Sequence, residues 1–217
     1  MVQLVVTQAQ VRDRYSLQNR TDINAAIDSA LISAHHFFQG VLGTVWENAT
    51  GLKDIFYLND DLHPYHPNNQ YRLRLKRAFL HTQVVPTIKV ASSRKYLLDG
   101  VTATTVPTTD YFVDYDKGLI FLDRGVDESD EVVIDSTDYR NQWVSVTYDA
   151  GFDGATWVAP QWLQEAVLSW MASVMLTSAH TETPDKVIRT AQEIQNQAAD
   201  MISQYKRETS FQFTPVY

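Results

Sequence analysis

The sequence has no cysteine. That removes disulfides, Cys-ligated zinc, iron–sulfur clusters and thiol catalysis together, while leaving the compartment open. No apolar run reaches the roughly 18 residues of a membrane span. The N-terminal Met1-Val-Gln-Leu-Val-Val6 lacks a cationic flank and is too short for a signal core, so no secretory signal is expected. Excess positive charge is missing as well. There are 18 Lys+Arg against 26 Asp+Glu, a formal net charge of −8, which argues against gripping nucleic acid through a broad basic surface. No Gly-rich phosphate loop, no Gly-x-Ser-x-Gly elbow and no internal repeat occurs.

What is present describes an ordinary globular chain. Its 217 residues are 44% hydrophobic and 20% charged, enough for one domain or two small ones with a sizeable core. Residues 1–60 read as helical. Thr21 or Asp22 is expected to cap a helix from Ile23 toward Val41, with Ile23, Ala26, Ile27, Ala30, Leu31, Ala34 and Phe38 on one stripe and Gly40 and Gly43 at its end. Thr7 can cap a short preceding helix that carries Val11.

Period-two alternation takes over between 70 and 150. Tyr71-Arg-Leu-Arg-Leu-Lys76 reads as a strand with one wet face. Val84–Val90 reads as another, which Pro86 assigns to an edge or a bulge. Tyr111–Tyr115 and Leu119–Leu122 flank Asp116-Lys-Gly118 as a hairpin, and Gln142–Tyr148 is the last strand, stopped by Ala150-Gly-Phe-Asp-Gly154. Helical periodicity then returns. Pro160 suits a helix start, Trp162, Leu163, Ala166, Val167, Trp170, Met171, Val174 and Met175 form a wide apolar face, and a second helix is expected over 184–208. The fold class is therefore α+β. Each flanking helix has a single apolar face and must bury it against another element. The expected division is an N-terminal helical part of a bundle at 1–60, a mostly antiparallel β insertion at 61–157, the C-terminal helices of the same bundle at 158–208, and an extended tail at 209–217. Trp162, Leu163, Val167, Trp170 and Val174 are expected to be buried by core or subunit packing.

Several residues invite chemical readings. His35-His36 lies on the first long helix, where adjacent residues diverge by about 100° and cannot share a metal as an i, i+4 pair does. Surface or half-buried histidines are the expectation. His63-Pro-Tyr-His66 beside Asp60-Asp61 has ligand types, but in a turn-rich loop with no helix to fix their geometry. Asp114–Gly118 has a faint calcium-loop look, yet the sixth position from Asp114 is Leu119 rather than glycine. A hairpin turn explains it better. Acidic residues are plentiful, but their spacing singles out no catalytic pair, and His81 and His180 have no partners evident in the sequence. The chain is therefore expected not to be an enzyme, and no metal or cofactor is implied. Arg72, Arg74 and Lys76 would project from one strand face, either as a solvated face or as a contact for an acidic partner or DNA phosphates. Phe211, Phe213, Pro215 and Tyr217 lie in an extended, aromatic terminal segment. Such a segment suits a partner's sheet edge or groove, the alternative being a tail folded on its own domain.

The order of the segments carries a resemblance. Asp110, Tyr111, Asp114 and Gly118 match a D-Y-x-x-D-x-x-x-G hairpin, Val144, Val146, Tyr148, Ala150 and Gly151 a V-x-V-x-Y-x-A-G strand. Pro160, Leu163, Ala166 and Val167 match a V-P-x-x-L-x-x-A-V helix start, with Ala159 at its first position. In this order the segments resemble the head–tail connector (adaptor) proteins of tailed bacteriophages. Ser33–Gly43 loosely fits that family's N-terminal helix, and the resemblance covers about residues 20–205. It implies a structural virion protein at the portal vertex, made in the bacterial host cytoplasm. It also implies a homo-oligomeric ring, commonly of twelve copies, that binds the portal protein above and a neck or tail protein below. Double-stranded DNA passes through such a ring, and no membrane is involved. The family's C-terminal segment commonly reaches the portal, which implies portal binding for Phe211, Phe213, Pro215 and Tyr217. Two other readings stay open: a neck or tail-completion protein without portal contact, and a hydrolase using acidic residues of the β region.

Overall fold

The computed structural model describes residues 5–18, 21–58, 70–100, 102–123, 139, 141–179, 193 and 195–202. The described residues form two compact units, one from those up to 47 and from 152 onward, the other from those within 48–151. Helices fill the first and antiparallel strands the second, so the fold is α+β.

In the helical unit, α1 (Gln8–Arg14) begins at a reciprocal cap. The Thr7 side chain accepts from the Gln10 N–H, while the Gln10 side chain accepts from the Thr7 N–H. Its one buried residue is Val11, and the helix packs against α2 (Asn24–Leu42). The apolar stripe of α2 buries Ile27, Ala30, Leu31, Ala34, His35, Phe38 and Leu42, all at helical spacing. Two details differ from expectation. The N-cap is Ile23 with no side-chain cap bond, rather than Thr21 or Asp22. Gly40 stays inside the helix, and Gly43 ends it at φ 62°, a left-handed cap that glycine adopts without a Cβ clash. The α2 helix packs against α4 (Gln161–Ala179). The Pro160 carbonyl accepts from the Gln164 N–H, so Pro160 stands just ahead of the first helical residue. Of the expected 184–208 helix, residues 193 and 195–202 are described and helical. Ala198 and Ile202 are buried there, and Gln195 donates to the Ser173 hydroxyl at 3.2 Å.

The β unit holds a four-stranded sheet in the order β1-β7-β3-β4 and a three-stranded sheet in the order β2-β6-β5, every pair antiparallel. The strands are β1 (Ala49–Tyr57), β2 (Gln70–Arg74), β3 (Thr87–Ala91), β4 (Thr104–Thr105), β5 (Tyr111–Asp114), β6 (Leu119–Asp123) and β7 (Trp143–Ala150). Alternate residues turn inward. Phe56, Ile88, Val90, Val144, Val146 and Tyr148 from one sheet meet Tyr71, Leu73, Val113, Ile120 and Leu122 from the other in a single core.

Three assignments need correction. β1 lies inside the 1–60 stretch expected to be helical. Its inward positions include the charged Asp54, while Ile55 and Tyr57 are half-buried, so the polar/apolar alternation that marks a strand is scrambled. β3 is not an edge strand, since β7 pairs with its whole length and β4 with its far end. Pro86 sits just before it, where no ladder N–H is needed, and its carbonyl accepts from the Tyr111 hydroxyl at 2.7 Å. Finally, β2 stops at Arg74, and Lys76 lies beyond the strand. A short helix, α3 (Arg94–Asp99), was not legible because six residues show less than two turns of periodicity; Ser93 caps it.

The β5–β6 hairpin forms as expected. Lys117 donates its N–H to the Asp114 carboxylate at 3.0 Å, so Asp114 serves the turn. Gly118 has φ +62°, and a Cβ there would stand 2.3 Å from the Arg77 carbonyl oxygen, which is backbone and cannot swing away. Gly118→Ala is expected to destabilise the protein by about 2 kcal/mol or more, because strain and overlap act together. Denaturant unfolding measures it, and an unchanged midpoint would refute the close approach.

Candidate functional site

Residues 75–81 form a strap that follows β2 and runs to the four-stranded sheet. Its backbone is satisfied from both sides. Toward the hairpin, the N–H groups of Leu75, Phe79 and Leu80 donate to the carbonyls of Gly118, Asp116 and Tyr115. Toward the other sheet, His81 donates its N–H to the Asp149 carbonyl, and the Phe79 carbonyl accepts from Gly151. A ring nitrogen of His81, buried, lies 3.2 Å from the Gly151 carbonyl oxygen. Phe79 takes φ 58°, unusual for a bulky residue.

Asp54 holds the middle of the strap. It is buried on β1, and one carboxylate oxygen accepts from the Lys76 N–H at 2.6 Å and from the Tyr148 hydroxyl at 2.8 Å. Tyr148 in turn accepts from the Arg77 N–H at 3.3 Å. Burial, then the Asp54 charge and its hydrogen bond, push the Tyr148 phenol far above its usual range, so it stays a donor at every ordinary pH. Both hydrogen-bonding partners of Asp54 are thus structural.

A second buried titratable group sits in the helical unit. The neutral His35 ring accepts from the Val5 N–H at 2.8 Å and meets Trp46 edge-on at 5.2 Å between centroids. His36 is exposed, so the pair diverges as helix geometry requires, but His35 is fully buried rather than at the surface or half-buried. Burial first, then His36, lowers its pKa to about 4.

The other candidates take these places. Arg72 and Arg74 are half-buried on the outer side of β2, and Arg72 lies over the Phe121 ring at 5.5 Å. Lys76 is exposed in the strap. Leu163 and Val167 are fully buried, while Trp162, Trp170 and Val174 are half-buried. Trp170 stacks on the exposed Phe37 ring at 5.5 Å. Phe211, Phe213, Pro215, Tyr217, the His63/His66 loop and His180 lie outside the described residues. Asp116, in the hairpin turn, is raised above the usual carboxylate range by burial and by Asp114, with Lys117 opposing. Among the described residues no three His, Asp or Glu side chains are grouped to hold a metal, and no helix is long and apolar enough to cross a membrane. Sequence reasoning missed Phe112, which is 64% exposed beside Phe121 on the hairpin's outer face. The signal was there, since Phe112 alternates with the inward Val113.

No protein-family model and no curated protein matches the chain. Two solved structures show a distant likeness. One is described as the neck of an empty GTA particle computed with C6 symmetry: 15% identity, 88% of this chain and 89% of that one, TM-score 0.39. The other is the virion of a native gene transfer agent (GTA) particle: 16% identity, 87% of this chain and 88% of that one, TM-score 0.38.

Two predictions follow from the buried groups. Asp54→Ala leaves the Tyr148 hydroxyl and the Lys76 N–H without their acceptor. It is expected to destabilise the fold by about 2–4 kcal/mol, read by urea unfolding. A loss below about 0.5 kcal/mol would refute the role given to Asp54. For His35 the folded pKa lies below the unfolded one, so the fold favours the neutral ring. Its stabilisation is full above pH 6.5 and falls as pH drops toward 4. Between pH 7.5 and 5 the loss is expected to be about 2 kcal/mol. His35→Gln, whose amide oxygen can still accept from Val5, should lose correspondingly less over that window. Equal pH slopes in the two proteins would refute the assignment.

Proposed function

We propose that this protein is a structural component of a phage-type head–tail connector, an adaptor that forms a ring below the portal, joins capsid to tail and lets double-stranded DNA pass. The observation that carries the reading is the order of its segments. The hairpin of Asp110, Tyr111, Asp114 and Gly118 leads to the strand of Val144, Val146, Tyr148, Ala150 and Gly151, and then to the helix that starts after Pro160. Helices from both ends of the chain belong to one unit, and the strands between them form another. This division supports reading the chain as a bundle with a β insertion.

The chemistry supports a scaffold. Asp54, Tyr148 and His35 are engaged in holding the fold, which leaves them unsuited to acid–base work on a substrate. A chain of net charge −8 lines a passage that DNA slides through without sticking. In this reading Phe211, Phe213, Pro215 and Tyr217 dock on the portal. Phe211 and Phe213 share one side of an extended segment and fill neighbouring pockets. Ordering a free tail costs about 1–2 kcal/mol per residue, so one contact is weak and a ring of identical contacts gains by multivalency. A neck or tail protein binds the opposite side of the ring, and the assembled virion is the site of action.

Truncation after Thr209 tests the proposal. The shortened protein is expected to melt as the full chain does and to lose binding to purified portal rings, measured by co-sedimentation. Portal binding as tight as that of the full chain would remove the tail from the docking site. A full chain that binds no portal ring would leave a neck component without portal contact.

A further inference from the structure

Residues 5–15, α1 with the segment before it, lie on the other helices of their unit as an arm. Most of the arm's polar attachments are at the surface. Gln8 donates to the Asp28 carboxylate, Gln10 donates to the Gln164 side chain and Arg14 pairs with Glu165, each at 3.1 Å and exposed. Exposed pairs of this kind contribute little to stability. The apolar anchors are Val5, Val6 and Val11, all buried. Two polar attachments are better shielded. At the end of the arm the Tyr15 hydroxyl donates to the Leu168 carbonyl at 2.7 Å, half-buried. At its start the Val5 N–H donates to His35 Nε2 at 2.8 Å, and this bond is buried.

The Val5 bond uses an acceptor that one proton abolishes. With Nε2 accepting, the neutral ring carries its hydrogen on Nδ1, which is buried with no acceptor beside it among the described residues. An imidazolium has two N–H donors. With the arm docked, one would face the Val5 N–H and the other would face no acceptor, so the charged ring is unsatisfied until the arm moves off. The surrounding elements supply no counter-charge. Arg12, Asp13 and Arg14 lie on α1, Glu165 on α4, Glu47 next to Trp46, and Asp28 and His36 on α2 itself. Of these only His36 shifts the His35 pKa, and it disfavours the charged ring.

We propose that His35 is a proton-operated latch: protonation at Nε2 breaks the bond to the Val5 N–H and releases residues 5–15 from α2 and α4, while the rest of the helical unit stays folded. The proton comes from solvent and ends on Nε2. Release is a local opening, because the arm is anchored by three buried valines whereas α2 alone buries seven residues of its own stripe. It uncovers the surface of α2 around His35, which the arm closes at neutral pH. The inference stands on one hydrogen bond within the chain and is independent of the connector reading.

Amide hydrogen exchange of the full-length protein tests it, followed by NMR and corrected for the intrinsic effect of pH. The amides of Val5, Val11 and Tyr15 are expected to open more readily than those of Val167 and Met171 in α4 at every pH. Low urea should leave opening of the arm unchanged and promote that of the α4 pair. With the ring at a pKa of about 4 when docked and 6.5 when released, arm opening should rise about 25-fold from pH 7.5 to 5. His35→Gln keeps an acceptor for Val5 but does not titrate, and its rise should stay below about threefold; His36→Gln should keep most of the rise. Arm and α4 amides that open equally, with one urea dependence, would mean that the arm leaves only when the whole unit unfolds, and would overturn the latch. Arm opening that rises less than about threefold in the native protein, or as steeply in His35→Gln as in the native protein, overturns it too. The comparison of arm with α4 and the native pH slope need no variant, so they decide the proposal even if His35→Gln does not fold.

Discussion

The β unit depends on one buried carboxylate. Asp54 stands on β1 facing inward, where an unpaired charge would be untenable, and it is held by the Tyr148 hydroxyl and the Lys76 N–H. Those two bonds do more than neutralise a burial penalty. They attach the strap after β2 to the sheet that contains β1 and β7. Strap residues on either side then find their own partners, the hairpin carbonyls on one flank and the end of β7 on the other. The two small sheets become the walls of one core.

The close approach at Gly118 belongs to the same arrangement. The hairpin turn must come against the Arg77 backbone for Leu75 to reach the Gly118 carbonyl, and any side chain at that position would hold the strap away. Phe79 accepts a left-handed backbone in the strap because partners on both sides over-determine it. The helical unit uses a different device. Its apolar stripes suffice to bring α2 and α4 together, and His35 adds an acceptor for the Val5 N–H at the cost of a lowered pKa.

These devices bear on function through what they leave at the surface. The charged and titratable groups held most firmly are all structural. The groups turned outward include Arg72, Arg74 and Phe112 on the three-stranded sheet and Phe37 with Trp170 on the helices.

The sequence by itself determined the elements whose pattern is local. The α2 stripe, the Thr7 cap, the β5–β6 hairpin around Gly118, the β7 strand and the helix after Pro160 each carry a period or a punctuation residue that neighbours in the chain suffice to define. Tertiary structure alone decided the rest. β1 was hidden because its inward face carries Asp54, a residue that makes sense only with Tyr148 and Lys76 beside it, 94 and 22 residues away. β3 became an interior strand because Pro86 falls one residue short of its ladder. His35 read as a surface or half-buried histidine because nothing nearby in the sequence reveals that Val5 and Trp46 converge on it. Period reports which face of an element is apolar. Whether a polar residue on that face is tolerated depends on a partner that arrives from elsewhere in the chain.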